Sequence, residues 1–247
     1  MKRHFVKVSN TKRFHAGIVA VDARGAMEAG WMLVTGEAGH GKSLTVDHWA
    51  AETGAVFLRA KVEWTPHYFF TELATSLGVD TRCKAKELFS RLTGVIGEQQ
   101  VPLIIDEVEH ALKDNAKVLE ALRDLTDLTE TTAVLVGMDQ AQSKVSKHLQ
   151  ISSRIAHVVT FLPASNEDVR LLCNELAEIA IADDVVVEIN KQANGRIREI
   201  LNAIATVERV ARRSGKDQIS RADLIGQQLT HDWLARKPRV VKGGGGQ

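Results

Sequence analysis

Gly36-Glu37-Ala38-Gly39-His40-Gly41-Lys42-Ser43 follows directly on the apolar run Trp31-Met32-Leu33-Val34-Thr35 and leads, through Leu44, into a segment of helix-compatible composition over 44–52. The stretch fits G-x-x-x-x-G-K-[ST] in the strand, loop and helix context that the motif requires. A buried strand running into a tight glycine-rich turn aims the amides of the next helix at an anion. The glycines let the backbone between Gly36 and Leu44 approach phosphate oxygens. Lys42 then neutralises β/γ-phosphate charge, and the Ser43 hydroxyl helps to hold Mg²⁺.

A second segment completes this reading. Val101-Pro102-Leu103-Ile104-Ile105-Asp106-Glu107 is an apolar strand that ends in two adjacent carboxylates. Asp106, at the strand end, can bind Mg²⁺ directly or through water, while Glu107 can reach beyond the metal and polarise the water that attacks a γ-phosphate. A solitary Asp-Glu pair is also an ordinary acidic helix start. Its place after a phosphate loop and an apolar strand favours the nucleotide site.

Composition bounds the remaining possibilities. The chain has 247 residues, 44% of them hydrophobic and 26% charged, which suits one α/β domain with a smaller appendage in a soluble protein. Its apolar runs are far shorter than a bilayer span, and the basic first thirteen residues lead into no signal-peptide core, so a cytoplasmic location and no membrane role are expected. Cys83 and Cys173 lie far apart, and the nine histidines show no metal-ligand spacing. Net charge is only +1, yet the ends are basic: Lys2, Arg3, Lys7, Lys12 and Arg13 at one, and Arg209, Arg212, Arg213, Arg236, Lys237, Arg239 and Lys242 towards the other. Such clusters can neutralise nucleic-acid phosphates or can be solvated helix faces.

Periodicity alternates strands with helices. Strands are expected over 31–35, 55–60, 101–105, 132–136 and 158–162, and helices over 44–52, 69–77, 86–96, 116–128 and 140–148. This is the rhythm of a parallel sheet. After Pro163 the strands are expected to stop. Ser165-Asn166-Glu167-Asp168 offers a capped start to a helix running through Ile181, a second helix is expected over 196–213, and Ser220 can cap a last one through Leu229. The expected organisation is an α/β nucleotide-binding domain over 1–163, a helical lid over 164–235, and a basic, glycine-rich tail over 236–247.

This order of parts resembles the AAA+ ATPases, in which a P-loop parallel-sheet domain precedes a small all-helical lid. Several roles follow from the resemblance. In Gly195-Arg196-Ile197-Arg198-Glu199-Ile200-Leu201, Arg198 takes the place of the lid arginine that points at the phosphates. In Ser152-Ser153-Arg154-Ile155, Arg154 takes the place of the arginine finger that completes a neighbouring subunit's site. Phe14, Ile18 and Val19 fall where the family packs the adenine, and plain core is the other reading. The resemblance implies ATP and Mg²⁺ as ligands. One departure stands out: the strand over 132–136 is followed by Gly137-Met138-Asp139, where the family usually has a polar first sensor. Either Met138 holds that slot and water positioning suffers, or Asp139 reaches into it.

Within AAA+ the chain looks most like the transposition target selectors, the group of the phage Mu B protein, TnsC and TniB. The segments Thr65-Pro66-His67-Tyr68-Phe69-Phe70-Thr71-Glu72-Leu73-Ala74, Leu122-Arg123-Asp124-Leu125 and Ile151 to Ile155 carry this likeness. It implies an ATPase that self-associates into a ring or helical filament on double-stranded DNA, with little sequence preference, and recruits a transposase. Lys61 and Trp64, after the second strand, are the candidate DNA-facing loop, with a packing anchor as the other role for Trp64. Arg209, Arg212 and Arg213 are the second candidate. A helicase loader or replication initiator, and a non-hydrolysing nucleotide-stabilised module, are the alternative functions.

Overall fold

The computed structural model describes residues 1–230. Arg236, Lys237, Arg239, Lys242 and the tetraglycine tail lie outside the described residues. The chain divides into two compact units, one of residues 7–163, the other of residues 1–6 together with those from Ala164 onward. The first six residues, expected with the α/β domain, therefore cluster with the second unit.

In the first unit, α1 (Ser9–Asp22) precedes β1 (Trp31–Gly36), α2 (Lys42–Thr53), β2 (Val56–Arg59), α3 (Pro66–Ser76) and α4 (Ala85–Gln99). Then come β3 (Leu103–Asp106), α5 (Val108–Ala111), α6 (Lys113–Thr129), β4 (Ala133–Val136), α7 (Ala141–Val145), α8 (Leu149–Ser152) and β5 (Ile155–Phe161). The strands form one parallel sheet in the order β2-β3-β4-β1-β5. The expected α/β parallel-sheet fold is confirmed.

The near-continuous apolar strands follow from a sheet covered on both faces. Strand side chains alternate between those faces. Trp31, Leu33, Leu103, Ile105, Ala133 and Leu135 share one buried cluster with Phe69 and Leu73 of α3, Leu88 and Leu92 of α4, and Leu119 and Leu122 of α6. Met32, Val34, Ile104, Val134, Val136, Val159 and Phe161 face the other way, onto Phe14 and Ile18 of α1 and Val46 and Trp49 of α2. The Trp31 indole N–H donates to Thr126 Oγ1 at 3.0 Å, so its buried polar atom is satisfied.

Helix α1 carries no strong sequence signal. It is held where it is by Asn10, whose amide donates to Leu162 O at 2.7 Å and accepts from Leu162 N at 3.0 Å, the pairing a backbone neighbour would make. The helix expected over 140–148 covers only Ala141–Val145, and a separate short helix, Leu149–Ser152, begins after His148 (φ −107°, ψ 88°) leaves helical geometry.

The second unit contains α9 (Asn166–Leu176), β6 (Ala180–Ile181), α10 (Asp183–Ala193), α11 (Ile197–Ser214), β7 (Gln218–Ile219) and a 3₁₀ turn (Arg221–Leu224). A full capping box between Ser165 and Asp168 starts α9 as its sequence foretells. Two expectations fail here. Helix α9 stops at Leu176 because Ala177 is extended (φ −72°, ψ 145°), and Ala180 and Ile181 pair in parallel with Gln218 and Ile219. Strands therefore do not end at Pro163. The last helix shrinks to the 3₁₀ turn, since Ile225 is extended and Gly226 is left-handed at φ 77°. Both cysteines are free, and burial pushes the Cys173 thiol up to about 11.

Candidate nucleotide site

The loop between β1 and α2 takes its shape from glycines. Gly36 adopts φ 147°, and a Cβ there would lie 2.7 Å from the Phe161 carbonyl oxygen. Gly41, left-handed at φ 90°, caps α2, so that Lys42 is the first helical residue. Its ammonium curls back to donate to the carbonyls of Gly36 and, at 2.9 Å, Glu37. Lys42 is nearly buried and has no carboxylate within ion-pair distance among the described residues. Burial pushes its pKa down, against the pull of Asp139, Asp106, Glu109 and Glu37. A desolvated cation held by two carbonyls at the mouth of an amide-lined loop is a seat for an anion.

His40, named with the loop, is a strut. Its ring is 3% exposed with Nδ1 3.2 Å from Phe161 O, and its own carbonyl accepts from Asn10 at 3.3 Å. Glu37 and Ala38 are exposed along the loop, with Gly39 half-buried, and Leu44 points outward on α2.

The two halves of the motif meet directly. Ser43 Oγ donates to Asp106 Oδ2 at 2.9 Å, although 63 residues separate them. The other Asp106 oxygen accepts the Glu107 N–H at 2.9 Å, and the aspartate is 4% exposed. A serine hydroxyl and a buried carboxylate sharing one hydrogen bond form the hard-oxygen pair that Mg²⁺ takes together with water and phosphate oxygens, so the residues present fit that metal. Glu107 stands just outside, with its side chain half-exposed and its backbone left-handed at φ 57°. A non-glycine residue there carries strain, of the kind concentrated at functional sites.

Sequence reasoning missed Arg59. It closes β2 opposite Asp106 in the register, and its guanidinium lies 3.4 Å from Asp106 and 3.7 Å from Glu107. His110 approaches Glu107 from the other side at 3.7 Å. The arginine neutralises the paired carboxylates where a cation belongs. Only the adjacency of β2 and β3 reveals it.

The other candidates scatter. Phe14 and Ile18 are core, with the Phe14 ring set edge-on to Trp49 at 5.6 Å, whereas Val19 is 66% exposed on the opposite side of α1. Arg154 holds Asp127 of α6 with two hydrogen bonds of 2.9 and 2.6 Å, which sequence did not anticipate. Arg198 is exposed on the first turn of α11, and Arg209, Arg212 and Arg213 are exposed on its last turns. Of the expected DNA-facing loop, Trp64 takes its other role, that of a packing anchor. Trp64 is 5% exposed, packs on Phe69 and donates its indole N–H to Glu72 at 2.5 Å. Lys61 pairs with the same Glu72 and lies over the Tyr68 ring at 5.2 Å. Glu72 therefore ties both residues to α3.

The chain is similar to known proteins at the level of its fold. Residues 24–145 match the family model of the AAA domain. The fold resembles the crystal structure of Cdc6p from Pyrobaculum aerophilum, with a TM-score of 0.64 and 16% identity over 91% of this chain and 66% of that one. It also resembles the Aeropyrum pernix ORC1 protein, solved in complex with DNA (TM-score 0.57, 19% identity, 87% and 62% covered). A third is the Thermotoga maritima RuvB Holliday junction branch migration motor (TM-score 0.61, 17% identity, 89% and 67% covered). At such identities the likeness is one of fold, and the chain spans about two thirds of the length of these structures. No curated protein matches its sequence. The AAA domain match covers just under half of the chain, and these solved structures share its fold. No helix among the described residues is long and apolar enough to cross a membrane.

Proposed function

We propose that this chain is an ATPase that uses ATP to assemble on double-stranded DNA, as a ring or helical filament, and there recruits a transposase. The observation that carries the ATPase part is the juxtaposition of the Lys42 ammonium with the Ser43 and Asp106 pair at the mouth of one loop. ATP phosphates replace the Gly36 and Glu37 carbonyls as partners of Lys42. Ser43 and Asp106 hold Mg²⁺, which when bound neutralises charge on the β- and γ-phosphates. Glu107, released by Arg59, takes a proton from water as the water oxygen bonds to the γ-phosphorus. The bond from that phosphorus to the β,γ-bridging oxygen breaks, and ADP leaves with the electron pair.

Arg154 of a neighbouring copy and Arg198 are assigned the phosphate-facing roles that the resemblance gives them. Arg154 must first let go of Asp127, which makes assembly and turnover a coupled event. Support for DNA comes from the resemblance to the target selectors and from the exposed arginines on α11. Phosphate contacts alone suffice for binding of any sequence. Electron microscopy of the full chain with ATP and duplex DNA tests the proposal: a ring or filament on DNA is expected, and a monomer beside bare DNA overturns it. A replication initiator would instead associate with a replicative helicase and not with a transposase, which co-purification with each partner distinguishes.

A further inference from the structure

The end of β4 carries Met138 where a polar residue is usual, and the structure shows what stands around it. Glu109, on the short helix that follows Asp106 and Glu107, turns its carboxylate to accept the Met138 N–H. The Met138 carbonyl accepts from Ala141 N at 2.8 Å, so both polar groups of that residue's backbone are bonded. Gly137 makes the approach possible. A Cβ there would sit 2.8 Å from Glu109 Oε1 and 2.6 Å from the Ala141 methyl. The Met138 side chain is 44% exposed. Asp139 is held in the turn between these two fixed points, at the end of the strand that lies between β3, which ends in Asp106, and β1, which leads into the glycine loop.

We propose that Glu109 is a positioning residue of the nucleotide site: by gripping the Met138 backbone it fixes the turn that carries Asp139, so that Asp139 supplies the polar group at the end of β4 that Met138 cannot. The inference rests on the ATPase reading. Its logic is that a charged acceptor on a backbone N–H is strong and directional, and that the helix bearing it starts immediately after the two carboxylates of the site. The grip thus joins the strand end that activates water to the strand end that orients it. Glu109 acts through the backbone, and Asp139 acts on the water.

The test uses the full chain with Mg·ATP, a fluorescent ATP analogue, and amide hydrogen exchange read at Met138 by NMR. In Glu109→Ala the Met138 amide is expected to exchange on the order of tenfold faster or more, because a charge-assisted bond is lost. Turnover is expected to fall about 10- to 100-fold, as for other residues that orient a reacting group, while analogue affinity stays within about threefold. Glu109→Gln keeps an acceptor oxygen and is expected to retain the amide protection and most of the turnover. Asp139→Asn is expected to lower turnover without changing Met138 exchange, and Met138→Thr to change neither.

Unaltered Met138 exchange in Glu109→Ala, or faster exchange with unaltered turnover, overturns the proposal. So does a loss of analogue binding as large as the loss of turnover, which would mean that the loop itself had collapsed. A wild-type chain with no turnover, with or without DNA, removes the ATPase reading and the positioning role with it. The exchange result would then still establish the grip, which separates that failure from a failure of the grip.

Discussion

Lys42 and Lys61 each follow a β-strand closely, and each carries the charge that a phosphate pairs with, yet the fold treats them in opposite ways. Lys42 is buried against backbone carbonyls, and its pKa is pushed down. Lys61 is exposed, carries its own counter-ion in Glu72 and has its pKa pushed up by that bond. A phosphate arriving at Lys42 replaces weak neutral partners, whereas one arriving at Lys61 must displace a carboxylate. The difference teaches that a cation marks an anion site only where the fold withholds a partner from it.

The strongest way to break this comparison is at Lys42. Lys42→Ala is expected to abolish ATP binding, while Glu107→Gln is expected to keep it and lose hydrolysis by about 10² to 10⁴, since only the proton acceptor is gone. Titration with a fluorescent ATP analogue beside a phosphate-release assay separates the two. Equal loss of binding in both variants would reject the role assigned to Glu107.

Arg154 tests a position between the extremes, for the proposed function assigns it a finger's role and it is already paired with Asp127. If it acts on a neighbour's ATP, Arg154→Ala lowers turnover about 10³-fold or more. Mixing it with Lys42→Ala protein then restores part of the activity at interfaces where one copy supplies the loop and the other the arginine. No recovery under conditions of demonstrated co-assembly counts against a finger in trans.

The same contrast explains what the sequence disclosed. The Ser43 and Asp106 pair was legible because each residue sits in a contiguous motif at the end of an apolar strand, and parallel strands of one sheet bring their ends together. Arg59, Glu109 and Asp127 were illegible because their partners are set by strand order and helix packing, which no local spacing encodes. Asn10 belongs with them, joined across 152 residues to the end of β5. Trp64 was ambiguous for another reason: an aromatic before Thr65-Pro66 reads equally as an exposed platform or an anchor, and Glu72, eight residues on, decides it.

A smaller effect probes that anchor. Glu72→Ala leaves the buried Trp64 indole N–H without its acceptor and is expected to cost about 1–3 kcal/mol, seen in a urea titration. Lys61→Ala removes only an exposed partner of the same carboxylate, and its midpoint is expected to stay at the wild-type value. Equal destabilisation by the two would mean that the ion pair, and not the indole bond, fixes the loop.

The smallest effect is the most discriminating for DNA. Each phosphate contact contributes a slope of about −0.9 to the dependence of log affinity on log salt, whatever the base sequence. Arg212 and Arg213 are exposed on the last turns of α11 with no carboxylate in ion-pair distance among the described residues, so they release counter-ions in full when they meet phosphates. Replacing both with alanine is expected to flatten the slope by about 1.8, twice the single-contact value, with equal weakening on unrelated duplexes. Lys61 gives up its bond to Glu72 to make any such contact. One ion pair is exchanged for another, and Lys61→Ala is expected to leave the slope unchanged. Freeing that lysine with Glu72→Gln, which keeps an acceptor for Trp64 but removes the charge, is then expected to steepen the slope by at most about 0.9. A flattened slope in Lys61→Ala alone would show that DNA wins the lysine from Glu72, and the contrast between the two lysines would no longer hold.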